Sequence, residues 1–441
     1  MNFTSLMMML LRNNFYTELQ SSLSTQWLSF EELNQIQEEK FRALIDHCRV
    51  NVPYYKNLPN INRVNSLSDL NLLPFLTKKI IRQQKLNIKS DKCSKKYLIP
   101  MTSSGSTGEP LDYYIDARNR VGSACTMRGD MWTGYNLGEK NVSFWIFKNT
   151  PLKIKLKWAI KSFLTEKTKY IDFGDLSDAC FNNLYNKINR IKPTFIVSYA
   201  VAMNLFAIYL KENGLRIHTP KGIVVGAEVL LEKHRQNIEN VFSCKVLNRY
   251  GTSEFFHIAG ECEFQKGLHI SMENVYLEII NSDGEPCQPG EFGEVVITSL
   301  NNFTFPFIRY KLGDLATFSN NLCPCGRSLP LLQNIDGRLT EITFGTNGKR
   351  MTGAFWGHLF GSLIPSVKKY QVHQIAIDEI TIKLQTTNSF QESNIDYIIN
   401  YTKSELGNDT KIDVSLVDSI PVTKMGKHRC VISSINTDQH F

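Results

Sequence analysis

Thr102-Ser103-Ser104-Gly105-Ser106-Thr107-Gly108-Glu109-Pro110 is the stretch on which the reading of this chain turns. From Ser103 to Gly108, four hydroxyl residues and two glycines fill six positions. Glycine lets a backbone turn tightly and brings amide N–H groups close to a ligand. Hydroxyls add donors that rotate toward oxygen atoms. The combination suits a polyphosphate, although the same composition alone also describes a solvated Ser/Gly linker. The Lys-Ser or Lys-Thr ending of a Walker A loop is missing, which disfavours a P-loop NTPase. Leu111-Asp112-Tyr113-Tyr114-Ile115 follows and reads as a strand.

Around this loop the chain is an ordinary globular one. Its 441 residues suffice for a large core and more than one domain. A hydrophobic content of 42% with 21% charged residues sets it apart from disordered and fibrous classes. The net charge of +8 is dispersed with no Lys/Arg block, so an anionic small molecule explains it as well as nucleic acid does, and no nucleic-acid partner is expected. The short apolar run Met7 to Leu11 lacks a basic n-region and a small-residue cleavage site, and reads as part of a helix, not a signal peptide. No stretch approaches the ~18 apolar residues that cross a bilayer, so membrane insertion is not expected. Ten cysteines in such a chain suggest reduced thiols or metal ligands and a cytoplasmic location.

Apolar periodicity at Phe30, Leu33, Ile36, Phe41, Leu44 and Ile45 predicts a helix over 30–50, stopped by Val52-Pro53. From Gly222 to Tyr250 the pattern is strand, loop, helix, strand, which argues for an α/β layered core. Beyond Tyr276 the texture changes to paired antiparallel strands, Tyr276–Ile280 and Gly293–Ile297. A break is expected near Asp336-Gly337-Arg338. It separates a large domain, 1–336, from a small α+β domain, 337–441. The small domain is expected to hold a hairpin turning near Asp378-Glu379, a helix over 391–406, a strand from Lys411 and a basic tail ending in Lys424-Met425-Gly426-Lys427.

Four further segments carry chemistry. Asn248-Arg249-Tyr250-Gly251-Thr252-Ser253-Glu254 follows a strand and presents a ring to stack on a base and a carboxylate able to ligate Mg²⁺. Asp314, fixed beside Gly313, is suited to accept two ribose hydroxyl protons. Arg338 offers a planar fork of donors for phosphate or ribose oxygens. Lys427, beside Gly426 in the tail, has the reach of a loop lysine. Each has a bland counterpart: a turn Glu, a turn Asp, an interdomain salt bridge and a solvated tail charge.

In this order the five segments resemble the adenylate-forming superfamily of acyl-CoA synthetases and nonribosomal adenylation domains, over roughly Met101 to the C-terminus. Val52-Pro53-Tyr54-Tyr55, Leu73-Pro74-Phe75-Leu76-Thr77-Lys78, Gly226-Ala227-Glu228, Gly267-Leu268-His269 and Cys323-Pro324-Cys325-Gly326-Arg327 look like the phenylacetate–CoA ligase branch. That branch includes ligase-like capsular polysaccharide biosynthesis proteins and enzymes that adenylylate a deazaflavin coenzyme.

The resemblance implies an α/β fold with a large layered N-terminal domain and a small, mobile α+β C-terminal lid. It implies that Ser103, Ser104, Gly105, Ser106, Thr107 and Gly108 grip the ATP phosphates. Adenine then lies between Gly226-Ala227-Glu228 and Tyr250, within a motif completed by Gly251, Thr252 and Ser253. Glu254 would hold Mg²⁺, Asp314 the ribose with Arg338 beside it, and Lys427 would act as the catalytic lysine. The implied reaction is adenylation of a small-molecule carboxylic acid with release of pyrophosphate, then transfer to coenzyme A. Alternatives are adenylyl transfer to a hydroxyl or phosphate of a coenzyme-like acceptor, and a non-catalytic binding protein with an inherited fold. A homodimer is compatible with the family, and surface polysaccharide biosynthesis is the implied pathway. Two positions depart from the family pattern: Glu109 replaces a loop lysine, and Thr340 followed by Glu341 stands where a hinge charge is usual.

Cys262, His269, Cys323 and Cys325 form a Cys₃His set, the ligand chemistry of a structural zinc, although unpaired thiols with a polar histidine fit the sequence too. Matching positions in relatives imply zinc. His257 is a candidate wall of the acyl pocket or a core histidine. Trp132, Trp145 and Phe195 to Tyr199 are acyl-pocket candidates that large aromatic residues more often fill as core.

Overall fold

Phe195-Ile196-Val197-Ser198-Tyr199 and Gly222-Ile223-Val224-Val225-Gly226 lack the polar alternation of a strand with one wet face, and both are buried at every position. They lie inside the main sheet of a computed structural model that describes residues 3–103, 110–145, 167–172, 176–364, 366–387, 389–421 and 429–435. Ser104, Gly105, Ser106, Thr107, Gly108 and Lys427 lie outside the described residues.

A hairpin of β1 (Leu98–Thr102) and β2 (Asp112–Asp116) flanks the hydroxyl-rich loop, with Thr102 opposite Asp112. The main sheet has 11 described strands. Its parallel half comprises β3 (Asn141–Trp145), β4 (Thr168–Asp172), β5 (Phe195–Tyr199), β6 (Gly222–Gly226) and β7 (Lys245–Tyr250). Its antiparallel half comprises β8 (Ala259–Glu261), β9 (Leu268–Ile270), β10 (Val275–Ile280), β11 (Phe292–Ser299), β12 (Tyr310–Phe318) and β13 (Leu331–Arg338). The spatial order is β10-β11-β12-β13-β9-β8-β7-β6-β5-β3-β4. β13 therefore sits between β12 and β9, which no reading of consecutive hairpins would give.

Helices Asp178–Ile191, Ala200–Glu212 and Glu232–Phe242 cover the parallel half, with Phe181, Leu184, Ile188, Phe206 and Phe242 buried in one cluster. Full burial of each such side chain contributes about 1.5–3 kcal/mol of transfer free energy. The expected N-terminal helix runs Phe30–Asn51, opened by a Ser29/Glu32 capping box, with Leu33, Phe41, Leu44, Ile45 and Cys48 inward. The apolar run at the N-terminus is a helix, Phe3–Leu11.

After a short pair, β14 (Thr343–Phe344) and β15 (Arg350–Met351), a second sheet forms from β16 (Val367–Ala376), β17 (Glu379–Thr386), β18 (Lys411–Leu416) and β19 (Val431–Ser433) in the order β18-β17-β16-β19. Helix Ser393–Leu406 belongs to this unit, and its buried Ile398 and Leu406 join Val372, Ile380 and Ile382 in a separate core. The expected hairpin, helix and strand are all present, with the turn at Ile377-Asp378. Position 336/337, where the domain break is expected, falls within β13.

Candidate active site

Strand ends of the main sheet bring distant polar residues together. β7 ends on Tyr250, and the chain then turns through Gly251. A Cβ at Gly251 would stand 1.9 Å from the Phe256 carbonyl oxygen, so only glycine fits there. β12 carries Asp314 opposite Arg338 at the end of β13. The Tyr250 hydroxyl donates to Asp314 Oδ2 at 2.8 Å, and Arg338 Nε lies 3.1 Å from Asp314 Oδ1. Each carboxylate oxygen is engaged once and keeps a lone pair for a further donor. Ser253 Oγ donates to Glu254 Oε2 at 3.1 Å, and Glu254 is buried. The buried hydroxyls of Thr252 and Tyr310 have no partner among the described residues. Orphaned buried hydroxyls are costly unless a ligand or water meets them.

Electrostatics ties these groups into one field. Burial, then Asp314, pushes the Tyr250 hydroxyl well above its ordinary pKa, so it remains a donor. Arg338 is held more firmly protonated by Asp314. Burial raises the Glu341 carboxyl despite the neighbouring Arg338 guanidinium, and Glu341 Oε2 accepts from the Arg338 N–H at 3.2 Å. Lys78 also faces this cluster: burial lowers its pKa, Arg338 repels its charge, and Asp314 and Glu254 attract it.

The placement of Lys78 follows from backbone stitching. The Leu76 N–H donates to the Arg309 carbonyl at 2.9 Å, and its carbonyl accepts from Lys311 N–H at 2.9 Å. Thr77 then caps helix Lys78–Ile88 by accepting from Ile80 N–H. Lys78 thus begins a helix fixed beside β12. In the sequence, Leu73 to Lys78 stands only as a mark of the phenylacetate–CoA ligase branch. The signal for a site role was a lysine at a capped helix start after a Pro-containing loop.

In the Gly226-Ala227-Glu228 loop, Ala227 takes φ +67°, a left-handed conformation uncommon for a residue with a Cβ. Glu228 Oε2 accepts from Val201 N–H at 3.0 Å, at the start of helix Ala200–Glu212. The loop is therefore anchored to the neighbouring βα turn.

Trp132, Phe195 to Tyr199 and His257 are buried in the fold. Trp132 is buried, with its indole donating to Gln26 Oε1 at 2.8 Å. Phe195 to Tyr199 form β5. Trp145 ends β3, and the placement of its side chain is not described. His257 is fully buried, with Nδ1 2.9 Å from Ser271 Oγ. Burial, reinforced by Arg128 and Arg249, holds its pKa well below the ordinary value, so it is neutral. Ser103 Oγ accepts from Leu111 N–H at 3.0 Å.

The four candidate metal ligands meet at the other end of the antiparallel strands. The ligand atoms of Cys262, His269, Cys323 and Cys325 all lie within 4.8 Å of one another. Cys262 Sγ and Cys323 Sγ are 3.5 Å apart, and Cys325 Sγ is 3.4 Å from His269 Nε2. A tetrahedral zinc with Zn–S of about 2.3 Å has sulfur–sulfur edges of about 3.8 Å, so the donor set fits that ion. His269 Nδ1 donates to the Leu329 carbonyl at 3.3 Å, which leaves Nε2 bare as a ligand. Burial lowers the His269 pKa to about 4. Arg327, next to Cys325 in the chain but one, donates through Nε to Gln26 Oε1 at 3.0 Å and ties the cluster to the N-terminal helices.

Residues 344–434 match the model of the CapK C-terminal domain. Protein CapK of Staphylococcus aureus is 25% identical over 418 residues, covering 92% of this chain and 90% of that protein. A phenylacetate-coenzyme A ligase of Thermus thermophilus is 24% identical over 338 residues, 71% of this chain and 72% of that one. Among solved structures, 2-hydroxyisobutyryl-CoA ligase in the postadenylation state superposes with TM-score 0.76 at 18% identity, covering 94% of this chain and 92% of that one. The same ligase in the thioesterification state gives 0.61, at 19% identity over the same shares.

Proposed function

We propose, for a chain homologous to Protein CapK and to the phenylacetate-coenzyme A ligases, an ATP-dependent, AMP-forming ligase that activates a carboxylic acid and passes the acyl group to coenzyme A. The observation that carries this reading is the Tyr250–Asp314–Arg338 cluster, with Glu254 and Lys78 in the same field. A carboxylate and a guanidinium held at strand ends, with unpartnered hydroxyls beside them, suit a ligand with both ribose and phosphate oxygens.

In this reading Asp314 accepts from the ribose hydroxyls with its remaining lone pairs, and Arg338 fixes the carboxylate and contacts the nucleotide. Tyr250 and the Gly226-Ala227-Glu228 loop border the adenine, while Gly251, Thr252 and Ser253 shape the turn. Lys78 is a second cation for the phosphates, joining Ser103 to Gly108. Glu254 is the residue to hold Mg²⁺, which neutralises phosphate charge when bound. A substrate carboxylate oxygen attacks the α-phosphorus, the bond to the bridging oxygen of the β-phosphate breaks, and pyrophosphate leaves. Lys427 stabilises the charge that builds on the α-phosphate. The thiolate of coenzyme A then attacks the acyl carbonyl, and AMP leaves. The greater likeness to a postadenylation state than to a thioesterification state supports the chain beyond β13 as a lid that turns between half-reactions. Cys262, His269, Cys323 and Cys325 would hold a structural zinc, with four protein ligands and no position for substrate. The likeness to Protein CapK supports a place in surface polysaccharide biosynthesis.

Pyrophosphate release across a panel of carboxylic acids, with and without coenzyme A, tests this. Release that needs one acid, with AMP as co-product, is expected. AMP retained in the product would point instead to adenylyl transfer, and failure to bind ATP would point to a non-catalytic protein.

A further inference from the structure

A cavity adjoins the Gly226-Ala227-Glu228 loop, where Val201 of its lining donates to Glu228. A cleft of about 350 Å³ opens between helices Ala200–Glu212 and Glu232–Phe242 and the C-terminal unit at the start of β16. Ile208, Leu231, Phe360 and Val367 give it an apolar lining. Its charge is one-sided: Lys211, Lys233, Lys368 and Lys369 face Glu212 as the one carboxylate of the lining. Glu212 is already engaged, 3.3 Å from Lys368 Nζ. Burial weakens the hold of Lys233 and Lys369 on their protons, and Glu228, behind the cleft, partly offsets this at Lys369. Half-buried Lys233, Lys368 and Lys369, with the exposed Lys211, over an apolar lining favour a ligand that brings its own negative charge and a non-polar body.

The two walls belong to different parts of the molecule in close contact. A Cβ at Gly357 would stand 2.4 Å from Leu231 Cδ2. The cleft therefore exists only while the C-terminal unit rests on these helices. Whatever binds there stabilises that arrangement by linkage.

We propose that this cleft is a binding site for an organic anion, a phosphate or carboxylate on an aromatic or aliphatic body, and that its occupancy holds the C-terminal unit against helix Ala200–Glu212. The cleft adjoins the Gly226-Ala227-Glu228 loop through Val201, whose N–H donates to Glu228, but the proposal does not depend on the adenylation reading. The test is calorimetric titration of the full chain with 1-naphthyl phosphate in the presence of a saturating non-hydrolysable ATP analogue, with 1-naphthol as the uncharged comparator. One saturable site is expected, with binding about tenfold weaker or more for 1-naphthol and for the double variant Lys211→Glu/Lys233→Glu. Ile208→Trp, which fills the cleft without changing charge, should abolish binding, and Asp314→Asn should leave it intact. Hydrogen exchange in β16 and in helix Ala200–Glu212 should slow when the ligand is bound. The proposal is overturned if 1-naphthyl phosphate does not bind, if 1-naphthol binds equally well, if native-like melting variants of both kinds bind as the parent does, or if exchange in those two elements is unchanged.

Discussion

The two ends of β13 make opposite uses of the same sheet. At one end Leu331 pairs with His269, and the Cys₃His cluster closes around a space fit for one ion. At the other, about 23 Å away at strand rise, Arg338 pairs with Asp314, and hydroxyls and charges stay open to a ligand. The first end has four donors and a bound imidazole tautomer, so its chemistry is complete within the protein. The second has lone pairs in reserve, two hydroxyls without a partner among the described residues and a lysine held against its own desolvation. Satisfied polar groups mark structure, and unsatisfied ones mark a place prepared for substrate.

Removing a ligand from the closed end should have the largest effect. Cys323→Ala should abolish stoichiometric zinc binding and cost more than about 3 kcal/mol of stability, since structural zinc sites in small domains carry about 10–16 kcal/mol. Metal analysis and thermal melting measure this, and an unchanged melt would dissolve the contrast. Lys427→Ala should slow pyrophosphate release roughly 10²–10³-fold, as loss of one charge-stabilising donor does, while melting stays native. A native rate would remove the tail lysine from the open end. Tyr250→Phe deletes the hydroxyl that donates to Asp314 and should raise the KM for ATP about fivefold, near 1 kcal/mol. The smallest effect concerns pH. Because the Lys78 pKa in the folded chain lies below the ordinary lysine value, its positive charge is lost earlier on the alkaline side. ATP affinity should be full below that pKa and fall as pH rises through it. Lys78→Arg should move that limb upward, and an unmoved alkaline limb would detach Lys78 from the phosphates.

The same contrast explains what could be read from sequence. Tyr250, Glu254, Asp314 and Arg338 sit in short motifs with glycine turns, so local pattern marked them and the sheet brought them together. The Cys₃His group was visible because its residue types are few. Lys78 carries no local mark of a role, because its place depends on Leu76 being stitched between Arg309 and Lys311, a contact more than 230 residues away in the chain. Glu228 gave no sign that it would cap a helix begun 28 residues earlier. The insertion of β13 between β12 and β9 was equally hidden, since hydrophobic alternation specifies strands and not their neighbours.

Calorimetric titration of ATP into the native chain and into Asp314→Asn tests the central claim most directly. One site per chain is expected, weakened about thirtyfold by the substitution, the loss of about 2 kcal/mol that removal of a charged acceptor brings. Equal affinity in both proteins, or no binding in the native one, would contradict it.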